Sequence, residues 1–214
     1  MEESENKTIL NSISKKGGGA GEPRFPVVSS KQKRQRFYKE NTGLKNYEQT
    51  AKSILTTTRF NNETWEQNTE YRDKNPTLGC VYGTPEPLSA NISQNKIVFV
   101  LEMNNERNRI MGIGMIRNNT NIKKHRVYNN DDYNRYSYIG KYRIDRETMS
   151  KDEEDIMKVF DILCFKGARH QKRLKGIKRF PMDMLYNCSK IMNLLDFIGK
   201  MFKKRLENNM DNSC

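Results

Sequence analysis

Two runs of cations are the residues of this chain whose types and spacing point most directly to chemistry, and that chemistry is the binding of phosphate. The first run is Lys31-Gln32-Lys33-Arg34-Gln35-Arg36-Phe37-Tyr38-Lys39, with five cations in nine positions and no acid. The second lies between Phe165 and Phe180. There Lys166, Arg169, Lys172, Arg173, Lys175, Lys178 and Arg179 contribute +7, again with no acid between them. Seven like charges held together oppose folding unless an anion is met there. Phosphates supply that anion, and each neutralised contact releases counter-ions. Phe165, His170 and Phe180 interleave rings able to stack on bases. Trp65, the only tryptophan, and Tyr136, Tyr138 and Tyr142 are further stacking candidates. Each candidate has a plainer reading: a solvated basic loop or tail for the runs, a partly buried packing residue for Trp65.

The whole composition agrees with a polyanionic partner. In 214 residues, 39 Lys and Arg stand against 26 Asp and Glu, a net charge of +13. Support for catalysis is thin. With two histidines, the chain carries neither a Ser/His/Asp nor a Cys/His spacing. Cys80, Cys164, Cys188 and Cys214 form no Cys-x-x-Cys pair, and His125 and His170 join them at no standard zinc spacing. Reduced thiols, no metal and no cofactor are therefore expected. Gly112-Ile113-Gly114 lacks the third glycine and the following helix of a dinucleotide site. On a strand these two glycines share a face, which admits another backbone, a bulge or a flat ligand. Gly17-Gly18-Gly19 lacks the Lys-Ser/Thr ending of a phosphate loop. Asp131-Asp132 and Asp145-x-Glu147 keep a Mg2+-dependent nuclease open, against the plainer reading of surface and helix-start acids.

The elements that must position these residues fall into three stretches. Residues 1–43, with their glycines, prolines and basic run, read as a disordered basic arm. Residues 44–165 read as an α+β core. Tyr47, Ala51, Ile54 and Leu55 follow helical spacing, and Asn61 or Asn62 caps a second helix ending before Pro76. Strands follow at residues 79–85, 96–103, 109–117 and 136–144. On the last of these, Tyr136, Tyr138, Tyr142 and Ile144 share one face, and Lys141 and Arg143 the other. Three hydroxyls on one buried face would each need a partner, so at least one tyrosine is expected at the surface. Ser150 with Glu153 predicts a capping box. Residues 166–214 read as a basic connector and an amphipathic helix opened by Pro181. That helix carries Leu185, Cys188, Met192, Leu195, Ile198 and Phe202 on one face, packed on the core or shared with another copy.

The ordered segments Ile97-Val98-Phe99-Val100-Leu101, Ile110-Met111-Gly112-Ile113-Gly114-Met115-Ile116 and Tyr138-Ile139-Gly140-Lys141-Tyr142-Arg143-Ile144 resemble the PUA-like group of nucleic-acid-reading domains. That group includes the EVE, ASCH and YTH domains. The resemblance covers residues 96–145 and implies a partly closed β-barrel that reads RNA or modified DNA. No tryptophan follows Trp65, so base stacking would fall to Trp65 or the tyrosines. The expected fold is α+β, either a small, mostly antiparallel sheet or such a barrel, with flanking helices and a helical carboxyl-terminal region. The expected function is non-enzymatic nucleic-acid binding, with RNA ahead of DNA on the resemblance alone. The alternative is a structural or genome-packaging protein; frequent Asn and Lys are typical of AT-rich genomes, including those of large DNA viruses. No apolar run approaches the ~18 residues of a membrane span, and the acidic start Met1-Glu2-Glu3 is unlike a signal peptide. An intracellular or virion location is expected.

Overall fold

The computed structural model describes residues 30–119 and 125–211. Among them lies a five-stranded sheet of order β6-β4-β3-β1-β7, built from β1 (Ile54–Phe60), β3 (Ile97–Asn104), β4 (Arg109–Arg117), β6 (Tyr142–Asp145) and β7 (Lys178–Arg179). The β1–β3 pair is parallel and the other three pairings are antiparallel. A second sheet pairs β2 (Cys80–Thr84) with β5 (Tyr136–Gly140), antiparallel. The helices are α1 (Ser30–Thr50), α2 (Asn62–Asp73), α3 (Lys151–Phe165), α4 (Met182–Ser189) and α5 (Leu194–Asp211). No helix among the described residues is long and apolar enough to cross a membrane.

Strand periodicity divides the core. In β3, Phe99, Leu101 and Met103 face one layer, with Ile156 and Phe160 of α3, Leu185 of α4, and Leu194, Ile198 and Phe202 of α5. The alternate Val98 and Val100 face the β2–β5 ribbon, where Val81, Tyr82, Tyr138 and the partly buried Trp65 pack. Both faces of the sheet are thus covered, so β1 and β3 read as near-continuous apolar or β-branched runs. Gly114 is what lets the ribbon sit close: a Cβ there would meet the Tyr82 hydroxyl and the Cys80 sulfur. Gly140 likewise approaches the Met115 carbonyl. Of the roles open to Gly112-Ile113-Gly114, close approach by another element is the one realised. The predicted capping box is present, Ser150 N–H donating to Glu153 Oε2 at 2.9 Å.

Several expectations are corrected. Ile54–Phe60 is a strand, not the continuation of a helix; its three consecutive threonines favour the pleated backbone, and the segment sits between β3 and β7. The sheet is open, with β6 and β7 at its edges, and does not close into a barrel. The tyrosine strand breaks at Lys141: β5 pairs with β2, whereas β6 pairs with β4. The carboxyl-terminal helix is two helices, separated at residues 190–193. Its apolar face is occupied within the chain, with Leu194, Leu195, Ile198, Met201 and Phe202 all buried, so that face is not the seam for assembling copies. Finally, α1 runs through the boundary placed at residue 43; residues 1–29 lie outside the described part.

Candidate nucleic-acid interface

The second basic run leaves α3 and turns over the carboxyl end of β1. Gln171 N–H donates to the Cys164 carbonyl at 2.7 Å, holding the turn to α3. Gly167 and Gly176 adopt φ of 77° and 65°, the left-handed region that side chains disfavour. The run then joins the sheet as β7, Lys178 and Arg179 pairing with Thr57 and Thr56. Folding separates its seven cations into two sets. Arg169 is paired with Asp183 at 2.5 Å, Lys178 with Glu86 at 2.5 Å and Arg179 with Glu48 at 2.8 Å. Asp183 is held below the usual carboxylate range chiefly by its hydrogen bond from Arg169. Lys172 instead donates to the neutral Asn108 Oδ1 at 2.8 Å. Lys166, Arg173 and Lys175 are exposed and make no ion pair among the described residues.

Lys172 and Lys175 border a pocket of about 260 Å³ at the carboxyl ends of the parallel strands β1 and β3. Arg59, Tyr128, Tyr133 and Leu174 also line it, and among the described residues no Asp or Glu does. Arg59 is the unusual member. Its Nε donates to the Gln171 carbonyl at 2.6 Å, Nη1 to the Gly176 carbonyl at 3.0 Å and Nη2 to Thr57 Oγ1 at 2.6 Å. Every partner is neutral, so a partly buried positive charge stands without a carboxylate. Burial brings this guanidinium down to about 10, which leaves it charged at neutral pH. The amino end of α2 meets the same pocket. Asn61 caps it, accepting from Thr64 N–H at 2.8 Å.

A second polar centre lies between the sheet and the ribbon. Glu102 is fully buried and accepts the Tyr82 hydroxyl at 2.7 Å. Arg143 donates through Nε to both Glu102 oxygens, at 3.1 and 2.9 Å, and through Nη1 to Asp145 at 2.6 Å. Trp65 stacks near this guanidinium, 5.6 Å from its ring centroid, with Arg72 at 5.8 Å. Burial pushes the Tyr82 phenol well up, and the Glu102 charge adds to the effect. Burial alone would raise Asp145, but the Arg143 hydrogen bond and charge outweigh it and leave Asp145 low. The adjoining cleft of about 530 Å³ holds Arg72, Lys141, Arg143 and Arg205. Two of these cations already have carboxylates, Arg205 being paired with Glu153 at 2.7 Å.

No family model, curated protein or solved structure matches the chain. The resemblance to PUA-like domains therefore stays one of strand pattern.

The structure brings together only part of the residues singled out in the sequence. Lys172 and Lys175 share the small pocket, with Arg173 exposed between them. Phe180 is fully buried against Phe160 and offers no face to a base, and Phe165 is partly buried against the same cluster. His170 Nδ1 accepts from Lys172 N–H at 3.3 Å and bends the run locally. Trp65 is a partly buried packing residue, edge-on to Phe60. Tyr138 is buried and its hydroxyl accepts from Leu88 N–H at 2.8 Å. Tyr142 packs against the helical layer, so of the three tyrosines only Tyr136 is exposed. Lys31, Lys33, Arg34 and Arg36 fall within α1, but their side chains lie outside the described ones. The acid pairs have local work: Asp131 with Arg126, Asp132 with Arg135, and Asp145 capping the turn Arg146–Thr148. No group of three His, Cys, Asp or Glu suited to a metal exists among the described residues. Arg59, Tyr133 and the Glu102–Arg143 pair went unnoticed in the sequence. The signal for the last was a lone carboxylate at an inward position of an apolar strand.

Proposed function

We propose that this protein binds nucleic acid through the 166–179 run and the pocket beneath it, without catalysing a reaction on it. The observation that carries this reading is the acid-free pocket of Arg59, Lys172 and Lys175, continuous in sequence with the exposed Arg173. Partly buried cations without carboxylates favour an anion, and the net charge of +13 attracts a polyanion from a distance. Tyr133 and Leu174 supply apolar surface beside the charges, as sequence-tolerant single-strand binding requires. RNA is the first ligand to test, since the strand pattern resembles PUA-like readers.

Salt dependence tests the reading. Affinity for a single strand should fall with salt at a slope of about −0.7 per phosphate contact. The triple variant Lys172→Gln, Arg173→Gln, Lys175→Gln should flatten that slope by about two contacts' worth and weaken all sequences alike. Its melting temperature should hardly move, because none of the three residues forms an ion pair among the described residues. An unchanged slope, with binding lost only on removal of residues 1–43, would transfer the contacts to the amino-terminal run.

A further inference from the structure

The pocket at the carboxyl ends of β1 and β3 holds more positive charge than one phosphodiester would balance. Among the described residues three cations line it and no carboxylate does. Glu86 feels Lys175, but it is engaged by Lys178 at 2.5 Å and is not part of the lining. The larger cleft beside β6 differs in having a carboxylate, Asp145, in its lining: Arg143 and Arg205 are answered by Glu102, Asp145 and Glu153, while Arg72 and Lys141 make no ion pair among the described residues. A diester brings one negative charge. A terminal phosphate monoester brings about −1.5 to −2 at pH 7, a closer match to three uncompensated cations. The positive end of the α2 dipole acts in the same sense.

The remaining lining describes the rest of the ligand. The volume of about 260 Å³ falls just below the ~300–1,000 Å³ of typical ligand sites, room for about one nucleotide. Leu174, 43% exposed, and Tyr133 offer apolar surface on which a flat ring rests. Asn105 also lines the pocket, and its Nδ2 donates to the Lys172 carbonyl at 3.1 Å, which ties the run to the end of β3.

We propose that this pocket binds a single nucleotide carrying a terminal phosphate monoester, the phosphate on Lys172 and Lys175 within the field of Arg59, and the base or sugar against Leu174, Tyr133 and Asn105. The proposal rests on the nucleic-acid reading for one of two sources, the phosphorylated end of a strand; the other is a free nucleotide. The test compares one short single strand with a phosphate at either end or with hydroxyls at both, by fluorescence anisotropy. Adenosine monophosphate and inorganic phosphate serve as competitors. A phosphorylated end should bind about tenfold tighter than the same strand with hydroxyl ends, the worth of one good charged contact. Adenosine monophosphate should compete better than inorganic phosphate. Lys172→Gln and Lys175→Gln should each reduce the preference at unchanged melting temperature. Equal binding of all three strands, with no competition by the nucleotide, overturns the pocket and leaves the nucleic-acid reading standing. Nucleotide binding without strand binding supports the pocket and overturns that reading. Inorganic phosphate competing as well as the nucleotide overturns the nucleotide assignment. A preference that survives both Gln variants overturns the site.

Discussion

Arg143→Met is the substitution that tests the buried centre most severely. The Arg143 side chain is 7% exposed and that of Glu102 is 1%, so the pair has little water to fall back on. Without the guanidinium, Glu102 keeps one charge-neutral donor, the Tyr82 hydroxyl at 2.7 Å, and Asp145 loses its 2.6 Å partner. Removing one member of a buried pair typically costs about 3–5 kcal/mol. At about 2–4 °C per kcal/mol for a chain of this size, the melting temperature should drop by roughly 6–20 °C. The loss should also depend on pH, with a definite sign. Arg143 holds Asp145 below its ordinary value despite burial. Its contribution is therefore full above the ordinary carboxylate range and disappears as pH falls through the lowered value. The difference between variant and wild type should therefore shrink on acidification. Calorimetry from pH 7 down to about pH 2.5 reads it, since the loss falls below the ordinary carboxylate value. The double variant Glu102→Leu, Arg143→Met should be more stable than Arg143→Met alone, because no buried charge is left uncompensated. A single variant within about 1 kcal/mol of wild type and flat in pH would refute the reasoning, since such a pair would be solvated in practice.

Two further expectations follow from packing. Gly114→Ala should destabilise by about 1–3 kcal/mol in urea unfolding, since its Cβ meets Tyr82 and Cys80. Gly199→Ala, in α5 with nothing near its Cβ, should stabilise by about 0.4–1 kcal/mol. Of the three described cysteines, Cys188 should react first with a thiol reagent at pH 8, as mass spectrometry would show. Cys80 is buried and its thiol is pushed up to about 12 by that burial, and Cys164 is buried with its thiol raised likewise, whereas Cys188 is only partly covered.

How the fold was legible shows best at β1. Tyr47, Ala51 and Leu55 do all reach the helical-layer core, so their spacing marked a real apolar face. They reach it from two elements, however, Tyr47 at the end of α1 and Leu55 on β1, with Ala51 between. Ile54, the fourth member of the pattern, turns to the opposite side of the sheet. Helical spacing records which residues meet, and a helix end followed by a strand can satisfy it. The β-branched run Thr56-Thr57-Thr58 was the local sign that decided otherwise. The strands at 97–104 and 109–117 were plain because a short turn joins two runs dense in apolar and β-branched residues, although the register between them shifts at Leu101/Met103. The split at Lys141 was hidden because nothing in Tyr136 to Ile144 marks a change of partner except Gly140, which is needed where the chain passes the Met115 carbonyl.

The site was half legible for a related reason. Charge density along the chain exposed the 166–179 run, yet which of its cations stay uncompensated depends on acids far away in sequence. Glu86 is 92 residues from Lys178, and Asp183 lies 14 beyond Arg169 on another helix. Ion pairs take up Arg169, Lys178 and Arg179 and leave Lys166, Lys172, Arg173 and Lys175 without carboxylates among the described residues, a selection that only the tertiary fold makes. Arg59 joined them because β1 ends where the run crosses, so its guanidinium is tied to Gln171 and Gly176, residues of the run itself. The same bonds that fold the connector down therefore place a buried charge under it. Fold and proposed site are one construction here, and loosening Arg59 should disturb both, whereas Lys175 belongs to the site alone.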